Sequence, residues 1–184
     1  MTTGIFINGP IGSGKSHDAR HLAGLAAIPE FDDTFYITIQ EFYDGKITAA
    51  EFQQQFIEHT LELQRAAAGA AGAAGTYIFD SSIIQHLTFS RIRGLKVREA
   101  SEVEIVERAF GRLHGVMIIY KDVPWCVCRQ NIVRRARTYE MKCISELADI
   151  HRKFKSTFLE ICEDHGIPCI VVRGAPIGVT AQVL

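Results

Sequence analysis

Short apolar runs alternate with amphipathic stretches along this chain. Ile5-Phe6-Ile7 is β-branched or aromatic and stops at Gly9-Pro10, which predicts a buried strand. Residues 16–27 follow with Leu22, Ala23, Leu25 and Ala26 at helical spacing, and Pro29 closes the segment. Residues 48–65 predict an amphipathic helix with Phe52, Phe56, Leu61 and Leu63 inward, opened by a Thr48/Glu51 capping box. Between these two segments, Glu30, Asp32, Asp33, Glu41 and Asp44 are interspersed with Phe31, Phe35, Tyr36, Phe42 and Tyr43. An alanine/glycine tract at 66–75 has no bulky side chains for a core and reads as a fraying helix tail with a linker. A second strand, Tyr77-Ile78-Phe79, runs into Asp80-Ser81-Ser82, and helical patterns occupy 83–93 and 98–113. A third strand covers 116–120, helices span about 124–136 and 145–163 with a basic crossing between them, and a last strand lies at 169–172. Apolar strands separated by helices, with no hairpin signals, imply a parallel sheet covered on both faces. The expected architecture is a three-layer α/β/α sandwich of about five strands, a single domain over 1–184.

Composition narrows the class. Of 184 residues, 47% are hydrophobic and 22% charged, an ordinary globular balance. A formal net charge of −1 lacks the basic excess of a nucleic-acid-coating protein. No run approaches the ~18–20 apolar residues of a membrane span, and the first eight residues read as a strand, not a signal peptide. Five cysteines, with Cys126 and Cys128 the one close pair, point to reduced thiols and a cytoplasmic setting. His17 and His21 share a helix face but have no third ligand in view, so a metal site there is set aside.

Gly9-Pro10-Ile11-Gly12-Ser13-Gly14-Lys15-Ser16 matches the phosphate-loop pattern, with an apolar strand before it and a helix after it. Glycines let successive N–H groups turn inward on a phosphate, and the helix N-terminus adds partial positive charge. Lys15 reaches the β- and γ-phosphates, and the Ser16 hydroxyl ligates Mg²⁺. A GTPase would carry N-K-x-D, which is absent, and the chain is too short for an AAA-type ATPase with a lid domain. Small kinases using ATP and Mg²⁺ remain.

Ligands in such folds gather beyond the carboxyl ends of the strands. Asp80, at the end of the second strand, is placed to hold Mg²⁺ through water and to line the substrate site. Glu30 falls where another strand end would set a carboxylate beside the loop to accept a hydroxyl proton, with Asp32 and Asp33 as rivals. Arg134-Arg135-Ala136-Arg137 concentrates forked donors suited to a transferring phosphoryl group, a lid over about 134–143.

These pieces, in this order, resemble the deoxynucleoside kinase family. They are the loop; Glu30, Phe35 and Phe42-Tyr43-Asp44; Phe52-Gln53; and Ile118-Ile119-Tyr120, Pro124, Arg135-Ala136-Arg137-Thr138-Tyr139-Glu140, Leu147 and His151. The resemblance implies Glu30 as general base on a 5′-hydroxyl, Phe35 flanking the nucleobase and Gln53 reading its edge. It also implies Tyr43 and Glu140 on the 3′-hydroxyl, Arg135 and Arg137 as lid arginines, and a homodimer through helices at 48–65 and 83–113. The family's arginine after the second-strand acid is replaced by Ser81, leaving Arg91 and Arg93 as candidates to substitute for it. Gln85-His86 stands where an acidic pair is often found. The expected activity is transfer of the ATP γ-phosphoryl to a (deoxy)nucleoside. A nucleoside-monophosphate or other small-metabolite kinase, or a nucleotide-binding partner subunit with weak catalysis, are the alternatives.

Overall fold

The computed structural model describes residues 2–23, 27–31, 35–70, 75–96 and 100–174, without the side chains of 67–70. Four parallel strands form the sheet among them: β1 (Thr2–Asn8), β2 (Gly75–Asp80), β3 (Gly115–Asp122) and β4 (Cys169–Arg173), in the order β2-β1-β3-β4. The fifth strand of the expected sheet is reduced to one bridge, Ile28 to Phe79, on the outer side of β2. Ile28 N–H donates to the Ile78 carbonyl at 2.9 Å, and Asp80 N–H donates to Ile28 at 2.8 Å. That bridge sets Glu30 two residues beyond a strand end.

Alternation along β1 covers both faces. Ile7 and Ala19 of α1 (Lys15–Ala23) are fully buried on one side of the sheet. Phe6, on the other, stacks on Phe79 with centroids 4.5 Å apart and meets Phe110 edge-on at 5.2 Å. This second layer holds α3 (Ala49–Ala70), α4 (Ile83–Arg93), α5 (Glu102–Phe110) and α8 (Ile144–Asp164) in one apolar cluster with Ile118 and Tyr120 of β3. Local chemistry starts and stops the helices, at Thr48 as the sequence predicts and at two further ends that it does not single out. Thr48 and Glu51 exchange capping hydrogen bonds before α3, Ser101 and Glu104 do so at α5, and Gly94 at φ +65° closes α4.

Two helices go beyond the pattern, α2 (Phe35–Tyr43) and the five-residue α7 (Thr138–Lys142); between α7 and β3 runs α6 (Trp125–Arg135). α4 is buried on every side from Ile83 to Ser90. The dimer surface implied by family resemblance therefore loses that stretch, while α3 keeps an exposed polar edge of Glu51, Gln55, Glu58 and Glu62. No helix among the described residues is long and apolar enough to cross a membrane. Asp32 and Asp33, Leu25 and Ala26, and the tract at 71–74 lie outside the described residues.

Candidate functional site

The loop from Gly9 to Ser16 curls as its glycines require. Gly9, Gly12 and Gly14 have φ of +155°, +84° and +81°. Ser13 N–H donates to Pro10 at 3.1 Å and Asp18 N–H to Gly14 at 3.2 Å, so the loop runs directly into α1. Two supports come from elsewhere in the chain. Lys121 of β3 pairs with Asp18 at 2.5 Å beneath the loop, both side chains buried. Asn131 of α6 donates to the Gly12 carbonyl at 2.8 Å. Neither support carries a motif, and the sequence offers no sign of them.

Above the loop lies a cavity of about 360 Å³. Lys15, Ser16, Glu30, Asp80, Arg135 and Arg137 line it, as do Tyr43, Gln53 and Glu140. Five cationic side chains (Arg20 and Arg93 complete the set) face three carboxylates, a positive balance suited to a phosphorylated ligand. Phe31, Tyr36, Ile39, Phe52, Phe56, Phe89 and Tyr139 form its apolar walls.

Glu30 is held from two directions. Its Oε2 lies 3.2 Å from Lys15 Nζ, and its Oε1 accepts from Gln85 Nε2 at 2.6 Å. Asp80 is buried beside Ser16; burial raises its carboxyl above the usual range, and Lys15 opposes that shift. Its Oδ1 has no protein partner. A buried carboxylate oxygen free of protein donors, next to a loop hydroxyl, is a donor set that fits Mg²⁺ carried in with a nucleotide. No cluster of three or more His, Cys, Asp or Glu among the described residues could hold a metal without such a nucleotide.

The acceptor end is aromatic. Tyr43 stacks on Tyr139 at 4.9 Å and its hydroxyl accepts from the Cys143 thiol at 3.7 Å, with burial pushing the phenol up. Gln53 Nε2 donates to the His86 carbonyl at 2.9 Å, which fixes the amide and leaves its second N–H and its oxygen for a ligand. Glu140 is gripped by Arg135 at 2.7 and 2.5 Å and lies 3.7 Å from Arg137.

Three expectations change. Phe35 does not line the cavity: α2 turns it inward to stack on Phe56 at 4.8 Å and His59 at 4.5 Å, and its neighbour Tyr36 faces the cavity instead. Arg91 reaches the opposite way, to Glu102 and Asp164; Arg93 does line the cavity, but its guanidinium lies on Glu146 at 2.8 Å and neither arginine pairs with Glu30. Arg134 is exposed and lies outside the cavity.

A family model described as an AAA domain matches residues 4–177. The matched domain fits within the chain, whereas length excludes only an AAA-type ATPase that carries a lid domain as well. No curated protein matches. Among solved structures, deoxyadenosine kinase from M. mycoides with products dCMP and a flexible dCDP bound aligns with a TM-score of 0.67 at 16% identity, covering 92% of this chain and 89% of that one. The same enzyme with bound dCTP aligns at 0.63 and 16%, covering 94% and 90%, and with bound dATP at 0.62 and 15%, covering 92% and 89%. The chain belongs to the AAA-domain family, and it has the P-loop kinase fold that these deoxyadenosine kinase structures share.

Proposed function

We propose that this protein transfers the γ-phosphoryl group of ATP to the 5′-hydroxyl of a (deoxy)nucleoside. The observation that carries the reading is Glu30, whose carboxylate sits against Lys15 at the junction of the phosphate loop and the aromatic end of the cavity. A hydroxyl oriented there gives its proton to Glu30 as its oxygen bonds to the γ-phosphorus. The bond from that phosphorus to the β,γ-bridging oxygen breaks, and ADP leaves. Lys15 moves from Glu30 to the phosphate oxygens, and Arg135 and Arg137, on a lid over 134–143, exchange Glu140 for the phosphoryl group. Ser16 and Asp80 would hold Mg²⁺, which neutralises phosphate charge. Tyr43, Gln53 and Glu140 orient sugar and base, with Tyr36 taking the flanking place expected of Phe35.

Asp80 then serves the metal and the acceptor end of one cavity. The reading carries a cytoplasmic role in nucleoside salvage and a homodimer through the exposed edge of α3, which sedimentation tests. A second reading, a nucleoside monophosphate acceptor, is favoured by the cationic balance of the cavity, with Arg20 as the added cation. Labelled ATP offered with nucleosides, their monophosphates and small alcohols separates the two. On the preferred nucleoside, Glu30→Gln lowers kcat by about 10²–10⁴-fold with ATP binding retained, and Lys15→Ala abolishes turnover. A Glu30→Gln enzyme as fast as the parent would remove the base assignment.

A further inference from the structure

Ser81 and the first turn of α4 decide what holds the Glu30 carboxylate in place. Ser81 is buried at φ +87°, and its hydroxyl has no protein partner, so its side chain supplies nothing to Glu30. The following turn is tied to the end of β1. Ser82 N–H and Oγ both donate to Asn8 Oδ1, at 2.9 and 2.8 Å, and Asn8 Nδ2 in turn donates to the Phe6 carbonyl at 3.1 Å. This anchoring holds the first turn of α4 against the phosphate loop, and Gln85 is the residue it brings there. Gln85 is 1% exposed, and its amide spans the gap between loop and base: Oε1 accepts from Gly9 N–H at 3.4 Å, and Nε2 donates to Glu30 Oε1 at 2.6 Å.

We infer that Gln85 is the positioning residue for the Glu30 carboxylate, a neutral amide that bridges it to the phosphate loop. The inference rests on the phosphotransfer reading for its catalytic meaning, but its geometry does not. Glu30 has two protein contacts among the described residues, Lys15 and Gln85. When Lys15 turns to the phosphates, Gln85 is the donor that stays. One end of the amide is fixed to the loop that holds the nucleotide, so the carboxylate is set in register with the phosphoryl group. A loose carboxylate would sample orientations that miss the hydroxyl proton, and that costs turnover more than binding.

The test is Gln85→Leu, close in size but without polar atoms. Expected is a 10–100-fold fall in kcat, with KM for ATP and nucleoside within about threefold of the parent. In a Glu30→Gln background the same change should cost less than twofold, because two residues acting as one unit do not add. A kcat within twofold of the parent, or an equal cost in both backgrounds, would overturn the inference. A second arm needs neither turnover nor a Gln85 variant. The Gln85 side-chain NH₂ resonances in a ¹⁵N–¹H spectrum should shift and lose exchange protection in Glu30→Ala. Unmoved resonances would also overturn it. If no nucleoside is turned over by the parent, the kinase reading fails, and the spectrum alone decides the role of Gln85.

Discussion

An imidazole with no partner on either ring nitrogen has to be neutral to be buried. His86 is fully enclosed, neither nitrogen has a hydrogen-bond partner, and its ring lies 4.2 Å from that of Phe56. Desolvation, with smaller contributions from Lys15 and His59, lowers its pKa from 6.5 to about 3. The sign follows from proton counting. Between pH 6.5 and about 3 the unfolded chain binds a proton at this residue and the folded chain does not, so stability is lost as pH falls through that window. Each pH unit inside it is worth about 1.4 kcal/mol from this group alone. His86→Leu should therefore flatten the decline of the urea midpoint between pH 6 and 5 relative to the parent; parallel declines would show that the imidazole is protonated in the fold. His86 matters to the site through its backbone as well, since its carbonyl fixes the Gln53 amide.

At the scale of elements, the phosphate loop is legible in sequence and the parts that brace it are not. A Cβ on Gly12 would run into the backbone carbonyl of Cys128 in α6, and φ there is +84°. Gly12→Ala thus meets both left-handed strain and a backbone contact that cannot yield by a rotamer change. The expected result is at least a tenfold loss of affinity for a fluorescent ATP analogue, with the far-UV circular dichroism unchanged; full affinity would show that α6 is free to move off the loop. α6 also carries Asn131 and Arg135, so one helix touches both the loop and the cavity. Short apolar runs predict β1, β2, β3 and β4, and amphipathic spacing sustained over several turns predicts α3 and α8. It does not predict α2, whose Phe-Tyr-Ile-Thr-Ile run has strand-like composition and is helical because Phe35 and Ile39 are buried against Phe52. The family resemblance puts Phe35 beside the nucleobase, but adjacent residues on a helix point about 100° apart, so Tyr36 and not Phe35 reaches the cavity. Lys15 and Glu30 are legible because a motif and a strand end place them. Gln85, Lys121 and Asn131 are not, because only the tertiary fold brings them to the loop.

Over the whole molecule, one apolar cluster draws Phe6 from β1, Leu61 from α3, Phe79 from β2, Ile105 from α5, Ile118 from β3, Ile132 from α6 and Phe158 from α8. A second, smaller cluster packs Phe35 behind Ile39, Phe52 and Tyr139, and these three line the cavity. α3 belongs to both, with Phe52 in one and Ile57 and Leu61 in the other. Because a single helix spans the two clusters, the cavity wall cannot be lost without disturbing the main core, and the chain should unfold as one unit. The single tryptophan, Trp125, sits at the start of α6 against that core and 5.5 Å from His151, so its fluorescence reports on the main cluster. Urea curves followed by Trp125 fluorescence and by far-UV circular dichroism should coincide. ATP at about a hundred times its Kd should move both by the same amount, about 2.7 kcal/mol of added stability. Curves that separate, or a nucleotide shift confined to one probe, would show that the α2 side of the cavity or the arginine segment opens independently of the sheet.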